Sequence, residues 1–489
     1  MTITRKTVFA AIALMTLAGG CTRIAPQEAF DDVAYDVGSR INKRIAWDTG
    51  SDEDLSARAA VKAMLSRQLS PSTAVQIALL NNRELQAAYA DVGMAQTNLV
   101  QAGLLRNPVF DGAVTWYADA GGTPNLAFGV AWSFIDLLKR PKRKAVARSA
   151  LEEAKLKVAR RVIVHAADTH AAFIDYVAVM QEIDLLKSIT DSARATVDAA
   201  AALRKAGNIT ELQFEQNQSF LTAAKLELAK AEAMGDEARE KLNVLMGLTG
   251  RQTRWSAPHK LPDLPPGMVQ VGNVEARALR ASLDVAIGRQ KLTTLGRQFK
   301  LVRKESLLRD IDAGPEFERE IDVERNEDTG KTEKNARDAW GTAFGVEIPI
   351  FDHGQARKAG VLLQIQQAEN ELWALAVKVR STARLSRARL LTTAKTVDYY
   401  DKAVLPQSQR ILLGTQRDYN AMQEGVFRLI AARRAQITAG QQRILAQRAY
   451  WSAFVRFQQL MSGTLPGGGD SQGIEMASAA PGGGEGGGH

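Results

Sequence analysis

The sequence predicts a mainly α-helical chain that carries a small membrane-type β-sheet. Three observations predict it: the chain repeats itself, its helical stretches are very long and paired, and its short strands alternate large apolar with tiny residues. The 489 residues are 45% hydrophobic and 24% charged, normal for a folded protein. The net charge of +9 is spread as bases interleaved with acids along helical stretches. That pattern reads as solvated helix faces, not as the basic stripe with aromatics of a nucleic-acid binder.

The duplication comes first. Gly129-Val130-Ala131-Trp132-Ser133-Phe134-Ile135-Asp136 matches Gly345-Val346-Glu347-Ile348-Pro349-Ile350-Phe351-Asp352, and each copy runs into a long helical stretch. Each later meets a glycine break, at Ala206-Gly207-Asn208-Ile209 and at Glu424-Gly425-Val426-Phe427, before another helix begins. Upstream, Ala74 to Leu105 and Val274 to Leu308 match as helical stretches. The period is far longer than that of a solenoid repeat, so the chain is two copies of one helix–hairpin–helix–helix unit.

From Arg140 to Ala206 there is no glycine, and the single proline, Pro141, is expected in a first helical turn, where it is tolerated. At about 1.5 Å per residue such a helix approaches 100 Å and needs a partner along its whole course. The next helix supplies a seam: Leu221, Ala224, Leu228, Ala231, Gly235, Ala238, Leu242 and Leu245 keep a 3-4 heptad spacing, small residues alternating with leucines. In the second copy Ile437, Gly440, Ile444, Gln447, Trp451 and Phe454 keep it less cleanly.

The strands follow. Leu126, Phe128, Val130, Trp132 and Phe134 alternate with Asn125, Ala127, Gly129, Ala131 and Ser133; Trp340, Thr342, Phe344, Val346, Ile348 and Ile350 alternate with Gly341, Ala343, Gly345, Glu347 and Pro349. Phe110, Gly112, Val114 and Trp116 precede a turn at Gly121-Gly122-Thr123-Pro124, and a weaker strand spans Ile311 to Ile321. Alternation of about ten residues with aromatics near the edges is the pattern of lipid-facing barrel strands. Four strands are too few for a barrel, which needs about eight or more, and sheet edges cannot sit unsatisfied in lipid. Several chains must pool their strands.

The N-terminus reads as a leader: Arg5 and Lys6, an apolar run from Val8 to Leu17, and a small-residue site before Cys21, the only cysteine. Leu17-Ala18-Gly19-Gly20-Cys21 resembles a bacterial lipobox, with Ala18 where leucine is usual; an ordinary secretory signal with an incidental cysteine is the alternative. The residue after it is Thr22, not the aspartate that retains a lipoprotein in the inner membrane. No stretch of about 18 apolar residues is read in the sequence, so no membrane-spanning helix is expected.

The residues Leu69-Ser70-Pro71-Ser72-Thr73-Ala74-Val75-Gln76-Ile77-Ala78-Leu79, then Asn81-Asn82, Leu85 and Asn107-Pro108, resemble the TolC, or outer-membrane efflux protein, family. So does Tyr419 through Gly425 to Leu429-Ile430, and the resemblance spans nearly all of 60–463. It implies a homotrimer whose duplicated coiled-coil helices form a tunnel across the periplasm. Four β-strands per chain would contribute to a trimeric 12-strand barrel in the outer-membrane lipid. It also implies partners, a periplasmic adaptor and an inner-membrane pump. The expected organisation is a signal peptide (1–20), an N-terminal periplasmic segment (21–68), a first repeat (69–250), a linker around the tunnel equator (251–272), a second repeat (273–463) and a glycine-rich disordered tail (464–489). Connections around Ala118–Pro124 and Asp322–Asp338 would face outside.

The site residues expected from this are few. Cys21 would carry the lipid. Gly207, Asn208, Gly425 and Val426 would mark the tunnel tip where an adaptor docks, each glycine also serving as a helix C-cap. Relatives carry acidic rings beyond the tip glycine, but here the corresponding positions are Ala431 and Arg434. Glu211 and Glu215 are therefore expected to face Arg428 and Arg434, with Tyr419 nearby, as a closing lock. His165, His170, His259, His353 and His489 are scattered, and no nucleotide-binding or zinc signature occurs, so no cofactor, metal or catalysis is expected. Passive conduction is the function that remains, and a lipid-anchored periplasmic coiled-coil scaffold is the alternative.

Overall fold

Long uninterrupted runs of good helix formers and two short alternating stretches leave the chain few choices of local structure. The computed structural model describes residues 25–116, 124–265, 272–307, 311–325 and 332–467. The leader with Cys21, the turn at 117–123, part of the linker (266–271) and the tail from 468 lie outside the described residues. The first half runs α1 (Pro26–Ile41), α2 (Asp52–Leu65), α3 (Pro71–Asn81), α4 (Arg83–Gly103), β1 (Val109–Trp116), β2 (Pro124–Ser133), α5 (Phe134–Lys205) and α6 (Glu211–Met246). The second runs α7 (Val274–Ala281), α8 (Leu283–Leu307), β3 (Ile311–Arg325), β4 (Thr332–Val346), α9 (Gln355–Tyr399), α10 (Leu405–Asn420) and α11 (Val426–Met461).

Helix α5 has 72 residues, so at about 1.5 Å each it is roughly 108 Å long. It begins directly out of β2. Phe134 is therefore helical and not the last strand residue, and Pro141 lies inside the helix and not in its first turn. What holds this start is Asp136, buried and ion-paired with Arg143, which also donates from Nη2 to the Leu104 carbonyl at 3.0 Å. One arginine thus ties the end of α4 to the start of α5. The counterpart of α5 is α9 and α10 joined by a π-turn at Tyr400–Val404. Pro406, just beyond, has no N–H and crowds the preceding turn, which widens the helix there.

The paired upstream helices are each broken once. Asn82 separates α3 from α4 and caps α4, its Oδ1 accepting from Glu84 N at 2.8 Å and Leu85 N at 3.1 Å. Ser282 separates α7 from α8, its Oγ accepting from Val285 N at 3.2 Å. The helical stretches expected over 74–105 and 274–308 are each two helices, with polar caps at equivalent places in the repeat.

The heptad seam of α6 faces α5: Ala224, Ala231 and Leu242 are buried, and Val179, Ile183 and Leu186 pack with Ala231 and Leu228. The second seam works differently. Gly440 approaches Leu185 of α5, while Gln447 Nε2 and Trp451 Nε1 donate to the Pro262 carbonyl of the linker at 2.9 and 3.0 Å. Trp255 of the linker is buried, donates to Asn243 Oδ1 at 2.7 Å, and lies under the Arg239 guanidinium. In the described part of the linker Trp255, Ala257 and Leu261 are buried in a core cluster.

By length and composition α5 is apolar enough to cross a membrane, contrary to the expectation from sequence. Its apolar stretch is spent on protein: Val158, Val162, Ile163, Phe173, Ile174 and Val177 are buried in the two main core clusters. Helix neighbours near the sheet follow the order α4–α5–α8–α9.

His170 on α5 is mostly buried, and burial with the nearby Lys43 charge pushes its imidazole down to about 4. The unfolded chain therefore binds the extra proton between about pH 6.5 and 4, so stability present above pH 6.5 is lost as the pH falls through that window. The loss is expected to reach about 3 kcal/mol at most. His170→Gln should flatten the fall in thermal midpoint between pH 7 and 4.5; an unchanged slope would show that His170 stays protonated when folded.

Candidate functional site: a two-faced sheet and the helical tips

The four strands make one antiparallel sheet in the order β1-β2-β3-β4. Register decides what each face carries, because successive side chains alternate sides. Phe110 pairs with Val130, Phe128 with Phe317, Phe317 with Trp340, and Ala313 with Phe344. These large residues share one face, and Trp340 is 78% exposed on it. The opposite face carries Ala113, Ala127, Gly129, Gly341, Ala343 and Gly345 with Asp111, Asp312, Glu316, Glu318 and Glu320. One side is apolar and outward, the other small and acidic.

The apolar rows from Ile311 to Phe317 rise about 20 Å at roughly 3.3 Å per residue. Above them the Phe317 and Trp340 rings meet at 4.8 Å, and the next row is the ion pair Arg319–Asp338, with Nη2 to Oδ2 at 2.6 Å. A charged pair outward of an aromatic pair marks the rim of the band. Between β2 and β3 the ladder skips two rows where Pro315, with no N–H to donate, sits opposite Val130. Beside it Gly314 is obligatory, since a Cβ there would lie 1.5 Å from the Val130 carbonyl oxygen. Among the described residues, neither β1 nor β4 pairs with a further strand along its outer edge.

Two expectations for this region are corrected. Strand β4 ends at Val346, so Glu347 to Ile350 are not strand; Pro349 cannot join a ladder and Ile350 N bonds back to Ile348 O at 2.9 Å. The loop expected over Asp322–Asp338 is mostly ladder, with Asp322 paired to Asn335 and Arg325 to Thr332. Its tip and the Ala118–Thr123 turn lie outside the described residues.

At the far end of the helices two turns close the hairpins. Gly207, at φ 75°, ends α5 in a Schellman turn, with Asn208 N bonding Leu203 O and Gly207 N bonding Arg204 O, both at 2.9 Å. The second turn makes the same bonds, Gln423 N to Asp418 O and Met422 N to Tyr419 O, so its left-handed residue is Met422, at φ 59°. Gly425 is instead the N-cap of α11, as Thr210 is of α6, and is not the C-cap expected from sequence. Asn208 and Gly425 are exposed and Val426 half-buried.

The charges at the tips are paired differently from the expected lock. Glu211 pairs with Arg204 at 2.6 Å and Arg428 with Glu424, each inside its own turn. Glu215 is exposed, and Tyr419 is half-buried near the end of α10. Within one chain neither glutamate meets Arg428 or Arg434. Helix α11 carries six arginines and no acid, so their partners come from elsewhere. Arg433 bonds Ser192 of α5, Arg434 lies over the Phe220 ring of α6 at 5.4 Å, Arg443 pairs with Asp401 at 2.9 Å, and Arg448 pairs with Asp175 at 2.7 Å. Ser192 and Phe220 were unreadable from sequence, since their role exists only where two hairpins cross. Among the described residues, no group of three His, Cys, Asp or Glu residues able to hold a metal occurs.

Known proteins now bear on this geometry. Residues 74–248 match the family model described as outer membrane efflux protein. The match covers the first helix–hairpin–helix stretch, about a third of the chain. Its fold is that of solved outer-membrane channels. The CmeC outer membrane channel of Campylobacter jejuni is 14% identical, with a TM-score of 0.65 over 81% of this chain and 86% of its own. The outer membrane protein VceC of Vibrio cholerae is 13% identical, with a TM-score of 0.64 over 81% and 96%. The MtrE channel of Neisseria gonorrhoeae, solved in its open state, is 14% identical, with a TM-score of 0.62 over 81% and 89%. No curated protein sequence matches.

Arg433, Arg434 and Arg448 of α11 reach from the second hairpin to the first. Cation–π contacts contribute about 0.5–1 kcal/mol when exposed, and charged hydrogen bonds about 1.5–3. The double variant Arg433→Ala/Arg434→Ala should therefore speed amide exchange in 426–440 and in the facing 186–196 by roughly tenfold or more. Arg428→Ala, which loses only a contact inside its own turn, should not. Equal protection in all three proteins would show that the hairpins are held by packing alone.

Proposed function

We propose that the chain is the outer-membrane channel of a tripartite efflux or secretion system, working as a homotrimer that conducts cargo passively to the exterior. The observation that carries this reading is the sheet. Its outward aromatic face suits hydrocarbon, its small acidic face suits water, and its two unpaired edges have no tolerable place in lipid unless other copies supply strands. Three copies pool 12 strands, within the range of closed membrane barrels. Helices of α5's length, running straight out of the sheet, carry the bore far into the periplasm.

The finer assignments rest on this. Residues 1–20 are the signal peptide, and Cys21 is acylated, which anchors the N-terminal segment to outer-membrane lipid. The two repeats, 69–250 and 273–463, each supply one tip, and Gly207, Asn208, Gly425 and Val426 lie where a periplasmic adaptor docks, with an inner-membrane pump beyond. Arg433 and Arg434 hold the tip closed, replacing the lock expected between Glu211 or Glu215 and Arg428 or Arg434. A periplasmic scaffold would leave Phe110, Phe128, Trp340 and Phe344 facing water with nothing gained.

Purified protein in planar bilayers, weighed in detergent in parallel, tests the reading. A trimer giving small, long-lived conductance steps, enlarged several-fold by Arg433→Ala/Arg434→Ala, is expected. A monomer that never inserts would reject the channel and favour the scaffold.

A further inference from the structure

The strand order and the helix order agree, and this says which surfaces of two copies meet. Strands β1 to β4 alternate in direction, so β4 of one copy joins the next copy's β1 as an antiparallel pair, like every other pair in the sheet. The helices continuing from these strands keep the same order, α4 beside α5, α5 beside α8, α8 beside α9. A closed ring therefore sets α9 of one copy against α4 of the next, again antiparallel.

Heights along that seam follow from contacts within the chain. Gly354 lies beside Ser306, Lys291 pairs with Glu371 at 2.9 Å, Gln290 Nε2 donates to the Ser149 carbonyl at 2.9 Å, and Arg143 Nε reaches the Ala102 carbonyl at 3.4 Å. Following these neighbours from α9 through α8 and α5 to α4 brings Trp373 level with Met94, and Leu362 and Leu363 level with Leu104 and Leu105. These are among the large apolar residues that the single chain leaves exposed on α9 and at the end of α4: Trp373 is 75% exposed, Met94 57%, Leu363 65% and Leu104 40%, while Val377, Leu385 and Tyr399 are exposed farther along α9. Nothing in the internal contacts required the two sets to coincide in height.

We infer that the exposed apolar stripe of α9, centred on Trp373 and flanked by Leu363 and Val377, is the docking surface for a second copy of this chain, and that it seats against Met94 on that copy's α4 and Leu104 just past the helix end. The inference rests on the proposed ring assembly and adds its seam. It also makes the contact heterologous, one patch meeting a different patch, which is the geometry that closes into a ring instead of stopping at a two-fold dimer.

Full-length protein carrying Met94→Cys and Trp373→Cys together, oxidised in detergent, tests it on non-reducing gels. Most of the protein is expected as covalent dimers and trimers, while each single variant stays uncrosslinked. Crosslinking by Trp373→Cys alone would mean α9 meets α9 and would overturn the seam. So would a particle of trimer mass in which neither this pair nor Leu104→Cys with Leu362→Cys crosslinks, with the channel reading left intact; a monomer mass would instead remove that reading. Should the cysteine variants fold poorly, peroxide oxidation of the unmodified protein gives the same decision. Met94 should oxidise at least tenfold more slowly in the assembled protein than in the denatured chain, and equal rates would overturn the proposal.

Discussion

Backbone amides and carbonyls cannot be left unpaired in hydrocarbon, and the rest of this structure depends on that constraint. Each unsatisfied group costs several kcal/mol in lipid, about the stability of a whole domain once a strand edge is added up. The chain presents an apolar sheet face with two open edges, β1 and β4. An even number of alternating strands allows copies to add edge to edge in one antiparallel ladder, so the proposed trimer needs no strand rearrangement. The same alternation that puts Phe128 and Trp340 on one face leaves glycine, alanine and carboxylates on the other, so the proposed bore would be lined by groups that water can solvate.

The sheet also dictates the helices. Because β2 passes into α5 without a loop, α5 inherits the strand's position, and the Asp136–Arg143 pair with the Leu104 carbonyl holds that transition in register. Farther down, small residues on α6 and α11 let the hairpins approach α5, and the linker packs Trp255 and Leu261 into the core between them. Only at the tips does packing thin out. There Arg433 and Arg434 of α11 take over, reaching α5 and α6, and contacts of that kind can be broken one by one without unfolding the shaft.

Much of this was legible in the sequence because it rests on period. The 3-4 spacing on α6, the large–small alternation at 126–133 and 340–346, and the duplicated order of elements all survive in the structure. What was not legible rests on single residues in three-dimensional context. Phe134 alternates as well as any strand residue, but becomes helical because Asp136 is captured by Arg143. Pro349 ends β4 early, and Asn82 and Ser282 break helices whose apolar pattern runs on. Gly425 was read as a C-cap since glycine usually occupies the left-handed position; the chain instead places Met422 there, which the alignment of hydrogen bonds shows and composition does not. Cross-hairpin partners such as Ser192 and Phe220 carry no local signal at all.

The central claim is that the sheet has a lipid side and a water side. Spin labels placed singly at Phe110, Phe128, Trp340 and Phe344, and at Ala113, Ala127, Gly341 and Ala343, in protein reconstituted into outer-membrane lipid, test it most directly. Collisions with oxygen, which partitions into lipid, should dominate at the first set, and collisions with a water-soluble nickel chelate at the second, alternating residue by residue. Equal access of the nickel chelate to both sets would contradict the account, because the aromatic face would then stand in water.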